Sequence, residues 1–119
     1  MPVLAIFTNP TITKDRYEAL RKEVAWETKL APGGIFHAAS FDDQGGIHVA
    51  DVWESGDALN QFVTSRLMPA MQKLGISPPA VQVYPLHNAN AYEAVTRFVV
   101  KSGKKAATKG KPARKKKSK

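Results

Sequence analysis

The sequence contains no cysteine, which excludes a disulfide framework and every thiolate metal site and fits a reducing compartment. Long apolar runs are missing as well. The run from Val3 to Phe7 has five residues and no basic flank before it, too short for a bilayer span or a signal-peptide core. A buried strand is expected there, in a cytoplasmic protein with no membrane partner. There is no G-x-S-x-G elbow, no phosphate-cradling Gly loop and no G-x-G-x-x-G, and the Gly pairs at Gly33 and Gly45 suit turns. The three histidines show neither H-x-H nor H-x-x-x-H spacing, so no metal site is assigned. Beyond position 100, Phe, Tyr, Trp, Leu, Ile and Val are all missing, and so are Asp and Glu.

What that last segment does contain is charge. Residues 101–119 hold ten of the 18 Lys and Arg, which leaves eight basic residues against ten acidic ones in positions 1–100. The formal net charge of +8 is therefore the property of a tail attached to a mildly acidic body. Such a tail is expected to be disordered. Lys104, Lys105, Lys109, Lys111, Arg114, Lys115, Lys116 and Lys117 would give it non-specific, salt-sensitive attachment to nucleic acid. A solubilising extension is the competing reading.

The body reads as alternating periods. Val3 to Phe7 is apolar at odd and even positions, so both strand faces should be covered. Thr13 can cap a helix carrying Asp15 in its first turn and a stripe of Tyr17, Leu20 and Val24. Pro32 and Gly33 suit a type II turn. IFHAASF and GIHVADVWE, joined by a Gly-rich loop, read as an antiparallel hairpin. Ser55 and Asp57 open a second helix, with Leu59, Phe62, Val63, Leu67, Met71 and Leu74 as its stripe, a kink expected at Pro69 and a left-handed cap at Gly75. AVQVYPLH is the last strand, with Pro85 favouring an edge or bulge. The order β-α-β-β-α-β predicts an α+β, ferredoxin-like fold: a four-stranded antiparallel sheet with both helices on one face. It would occupy residues 1–90. Residues 91–100 extend it as a short helix or a strand, and 101–119 form the tail. Two-sided apolar strands with helices on one face call for a second cover, most simply a twofold-related copy in a homodimer.

MPVLAIF, TKDRYEAL, IFHAASFDD, HVADVWES, FVTSRLMPAMQKLG and VYPLHN, in that order, resemble the small bacterial proteins of the dimeric α/β barrel superfamily grouped with the antibiotic biosynthesis monooxygenases. The resemblance covers about residues 1–90. It implies a homodimer with a pocket between sheet and helices. Some members oxidise aromatic substrates with O₂ and neither metal nor flavin, so no cofactor is implied. Others cleave haem, placing a Trp after the V-W-E-S segment and a ligating His ten residues further on. Here Phe62 and Gln72 hold those positions, without an axial imidazole, whereas the pocket Asn of those relatives has a counterpart in Asn9.

The residues able to carry chemistry are few. His37 alternates with Ile35 and Ala39, Asp51 with Val49 and Trp53, and His87 with Pro85. An ionisable group on an apolar strand face needs a partner, and His with Asp is an economical pair. His37 and Asp51 are the catalytic candidates, with His37 as the base that makes an electron-rich phenolate. Asn9, Trp53, Phe62, Tyr84 and His87 are the candidate ligand-binding residues, Trp53 and Tyr84 holding an aromatic ring. The competing reading of His37 and Asp51 is a satisfied structural pair. Two functions stay open: a dimeric binding protein for a small aromatic molecule, in the extreme a cofactor-independent oxygenase, or a non-enzymatic dimeric scaffold whose tail binds nucleic acid.

Overall fold

A computed structural model describes residues 1–100. The elements are β1 (Val3–Asn9), α1 (Lys14–Val24), β2 (Gly34–Phe41), β3 (Ile47–Trp53), α2 (Gly56–Phe62), a π-helical turn (Val63–Leu67), α3 (Met68–Leu74), β4 (Ala80–Pro85) and a 3₁₀ helix (Glu93–Phe98). All strands are antiparallel to their neighbours, in the order β2-β3-β1-β4. This is the α+β, ferredoxin-like arrangement. Among the described residues no helix is long and apolar enough to cross a membrane.

Local chemistry places the boundaries. The Thr13 hydroxyl accepts from the Arg16 N–H, and the Ser55 hydroxyl from the Ala58 N–H at 3.0 Å. Each satisfies an orphan donor of a first helical turn. Gly33, at φ 87°, lies in the turn closed by the Gly34 N–H to the Ala31 carbonyl, where a left-handed residue is required. The Asp42–Gly46 turn is held by Asp42 Oδ1, which accepts from the Gln44 and Gly46 N–H groups. Gly75 ends α3 at φ 69°. Pro85 sits on β4, an edge strand, where its missing donor breaks no interior ladder.

The second helix differs from its expected form. In place of one helix kinked at Pro69, α2 and α3 are joined by the π turn, and Pro69 lies in the first turn of α3. The Thr64 hydroxyl bonds back to the Asn60 carbonyl at 2.8 Å, and the Ser65 hydroxyl to that of Gln61. These hydroxyls and the donor lost at Pro69 loosen the regular ladder before the proline, and the Met68 N–H reaches five residues back to Val63.

The register sorts the side chains by face. Under the helices, Ala5, Phe7, Val49 and Trp53 pack with Leu20, Val24, Leu59, Leu67, Ala70 and Met71 as the core. On the opposite face, a row crosses all four strands as Phe36, Val52, Leu4 and Tyr84. Its two ends, Phe36 and Tyr84, are 44% and 48% exposed. The next row is Ala38, Ala50, Ile6 and Gln82. Among the described residues, α1, α2 and α3 pack on the other side of the sheet and leave this face open.

Candidate functional site

Between the helix-facing side of the sheet and the helices lies a cavity of about 290 Å³, close to the lower end of the range typical of small-molecule sites. Phe7 and Val49 come from the sheet, Phe62, Leu67 and Met71 from the second helical segment, and Trp26 and Leu30 from the loop after α1. That loop is tied to the opposite wall. The Arg66 guanidinium donates to the Val24 and Lys29 carbonyls and lies 5.4 Å from the centroid of the Phe62 ring. Trp53 and Phe62 meet at 5.3 Å between ring centroids. Among the described residues the wall includes no Lys or Arg, and its ionisable side chains are Tyr17, His37 and Asp51.

These three form one hydrogen-bonded series. His37 and Asp51 face each other across the β2–β3 ladder, and His37 Nδ1 lies 2.7 Å from Asp51 Oδ1. The second carboxylate oxygen accepts from the Trp53 indole N–H at 3.1 Å. Asp51 is 7% exposed and Trp53 is 4% exposed, so the carboxylate is withdrawn from water but has a donor on each oxygen. A carboxylate only accepts, which in the neutral imidazole puts the hydrogen on Nδ1 and leaves a lone pair on Nε2. That lone pair is met by the Tyr17 hydroxyl at 2.8 Å. The Tyr17 ring is held by Phe41, edge-on at 5.8 Å, and by Trp26 at 5.9 Å. Burial pushes the Tyr17 phenol up to about 12, against the opposing pull of the Arg21 charge. It is therefore a hydrogen-bond donor at neutral pH.

The structure brings His37, Asp51, Trp53 and Phe62 to the cavity wall and places the other expected residues elsewhere. Tyr84 stands beside Leu4 on the open face of the sheet, so it cannot hold a ring against Trp53. Asn9 is buried but does not line the cavity. Its amide donates to the Ser77 and Pro78 carbonyls at 2.9 and 3.2 Å, and its Oδ1 accepts from the Thr11 N–H and hydroxyl, both at 2.7 Å. It is a clamp between the β1 exit and the segment entering β4. His87 lies in the exposed stretch after β4, away from the cavity, and Gln72 is exposed on α3. The basic residues Lys104 to Lys117 lie outside the described residues. Tyr17 and Trp26 were not expected at the site. Tyr17 reads from periodicity as one more member of a core stripe, and the signal it carried was a hydroxyl on that stripe in need of a partner.

No family model matches the chain, and no curated protein matches it in sequence. Solved structures do. Rv0793 from Mycobacterium tuberculosis is similar at 22% identity over 76% of this chain and 100% of that one, with a TM-score of 0.57. SnoaB, a cofactor-independent oxygenase from Streptomyces nogalater, is similar at 13% identity over 74% of this chain and 94% of its own, with a TM-score of 0.56. A candidate antibiotic biosynthesis monooxygenase from Caulobacter crescentus matches at 18% identity over 73% and 91% of the two chains, with a TM-score of 0.56. At these identities the likeness defines a fold: the chain has the architecture of the antibiotic biosynthesis monooxygenase-like proteins.

Proposed function

We propose that the protein binds an uncharged aromatic phenol in this cavity and oxygenates it with O₂, as a homodimer, without a metal or flavin. The observation that carries the reading is an acid–base pair, His37 with Asp51, on the wall of a cavity whose described lining is otherwise mostly apolar and aromatic. The likeness to SnoaB supports it at the level of fold. Loss of the phenolic proton to the protein creates an electron-rich phenolate. O₂ adds at a ring carbon that carries hydrogen, forming a C–O bond and a hydroperoxide once the distal oxygen takes up the proton. Removal of that carbon's hydrogen as a proton then breaks the O–O bond and releases hydroxide, which is protonated to water. The organic product is a quinone, with one oxygen atom in the product and the other in water. Phe62, Trp53 and Trp26 supply the apolar walls that hold the ring.

The test is a thermal-shift and calorimetric screen of phenols and naphthols, followed by oxygen-electrode measurements on binders. His37→Ala should weaken binding or turnover more than it lowers the melting temperature. Failure of every phenol to bind at millimolar concentration would defeat the reading.

A second reading rests on charge segregation: ten cations in residues 101–119 on a body of net charge about −2. Non-specific DNA binding should then be strong at low salt, fall steeply as salt is added, and disappear when 101–119 is deleted. Tight binding by residues 1–100 alone would refute that assignment to the tail.

A further inference from the structure

The base assigned above has no free lone pair. Nδ1 of His37 is committed to Asp51, and Nε2 is occupied by the Tyr17 hydroxyl at 2.8 Å. A ligand hydroxyl reaches the imidazole directly only if Tyr17 leaves, and Tyr17 is poorly placed to leave. Its ring is gripped by Trp26 and Phe41 and lies 6.2 Å from the His37 ring, nearly parallel to it. Its backbone is in the first turns of α1, with its N–H bonded to the Thr13 carbonyl at 2.9 Å. Tyr17, in contrast, lines the cavity, and its oxygen keeps acceptor capacity while its hydrogen points to His37.

We propose that Tyr17 is the catalytic residue that receives the substrate's proton, handing its own to His37, and that the site selects neutral phenols over carboxylated ones. This rests on the reading of the cavity as a phenol site. In the step, the substrate O–H bond breaks and a new O–H bond forms on Tyr17. The original Tyr17 proton moves to His37 Nε2. The products are a substrate phenolate, a neutral Tyr17 and an imidazolium held by the Asp51 carboxylate. Tyr17 is never left ionised, which suits a phenol whose burial makes ionisation costly. A carboxylated ligand would bring a second anion toward Asp51 with no Lys or Arg among the described wall residues to receive it.

The probe is a nitrophenol, whose neutral and ionised forms absorb at different wavelengths, with the corresponding nitroanisole as a ligand that has no proton to give. The full chain is used throughout. On the wild type, bound nitrophenol should show a larger ionised fraction than the free compound at the same pH. Tyr17→Phe keeps the ring, so both ligands should bind within about threefold of wild type. The ionised fraction of bound nitrophenol should then fall to that of free solution, and turnover of any oxidised phenol should fall at least about tenfold. A carboxylated nitrophenol should bind at least about tenfold more weakly than its neutral parent. An unchanged ionised fraction in Tyr17→Phe would overturn the relay while leaving the phenol site standing. A larger fraction with tighter binding would overturn it too, by showing that Tyr17 merely occupies the substrate's place. If neither probe binds the wild type, the phenol site and the relay fall together.

Discussion

Asp51 offers the sharpest separation of structure from chemistry, because two substitutions at it should have opposite profiles. Asp51→Ala removes the acceptor for two donors. The Trp53 indole N–H is buried, and orphaning it costs about 1–3 kcal/mol. The His37 ring is about a third exposed, so its Nδ1–H can turn to water and forfeits about 1 kcal/mol. Relief of a buried carboxylate's desolvation offsets part of this, so a net loss of about 1–3 kcal/mol is expected. Asp51→Asn keeps the shape. Its carbonyl can still accept from Trp53, but its amide then faces His37 as a donor. Every bond survives if the imidazole changes tautomer, with Nδ1 accepting and Nε2–H donating to Tyr17, at a cost of about 1 kcal/mol for the lost charge assistance. That tautomer has no lone pair on Nε2. The proton route is closed, and turnover should fall by about 10²–10⁴ although the fold is nearly intact.

Urea unfolding at one fixed protein concentration gives the stability order, a necessary precaution if the native state is a dimer. Nitrogen-15 shifts of the His37 ring report the tautomer directly. The expected order is wild type, then Asp51→Asn, then Asp51→Ala, with hydrogen on Nδ1 in the wild type and on Nε2 in Asp51→Asn. The reasoning is refuted if the ring keeps the same tautomer in both proteins, or if Asp51→Asn is the less stable variant.

Gly33→Ala should destabilise by at least about 1–3 kcal/mol, since φ is +87° and the new Cβ would stand 2.5 Å from that of Ala58. The double variant with Ala58→Gly should recover the clash but not the backbone strain, and full recovery in denaturant titrations would contradict that split. Tyr84→Asp, on the open sheet face, should turn the proposed homodimer into a folded monomer in sedimentation experiments, because it sets a charge at the end of the Phe36–Val52–Leu4–Tyr84 row. A wild-type chain that is monomeric at micromolar concentration would end that argument. The Tyr17 phenol titrates at about 12 rather than its ordinary 10.0, so between those pH values the native state holds a proton that the unfolded chain has released. Its contribution is present below pH 10 and lost as pH rises through about 12. The alkaline decline of stability should therefore be shallower in Tyr17→Phe, and an equal slope would exclude the contribution.

What the sequence made legible was whatever depends on period and on local turn chemistry. The alternation in β2 and β3, with a Gly-rich loop between them, brought His37 and Asp51 to one face, and only their alignment awaited the register. Tyr84 failed for the complementary reason. Its face depends on how β4 meets β1, and the pairing of Leu4 with Tyr84 sends it outward, where a shift by one residue would have turned it inward. No local pattern in V-Y-P encodes that offset. Asn9 shows another limit. A buried amide at a strand end has the same residue type whether it lines a pocket or fastens a loop, and the neighbours that decide between them, Ser77 and Pro78, lie 68 and 69 residues away.

The second helix differs from its expected form, yet Phe62 still reaches the cavity wall. Phe62 and Leu67 both line the cavity, yet on a regular α-helix residues five apart point roughly 140° away from each other. The expected stripe counted both by spreading over a broad face that also took in Leu59, Val63, Met71 and Leu74. In the structure the π turn between them widens the helix by about one residue per turn, which swings Phe62 and Leu67 onto one side. The causes are in the sequence: the Thr64 and Ser65 hydroxyls that bond back to Asn60 and Gln61, and the proline that cannot donate four residues after Ser65. A proline alone predicts a bend. Here a proline preceded by two back-bonding hydroxyls goes with a bulge, which brings Phe62 and Leu67 to one side, on the cavity wall that also includes Tyr17, His37 and Asp51.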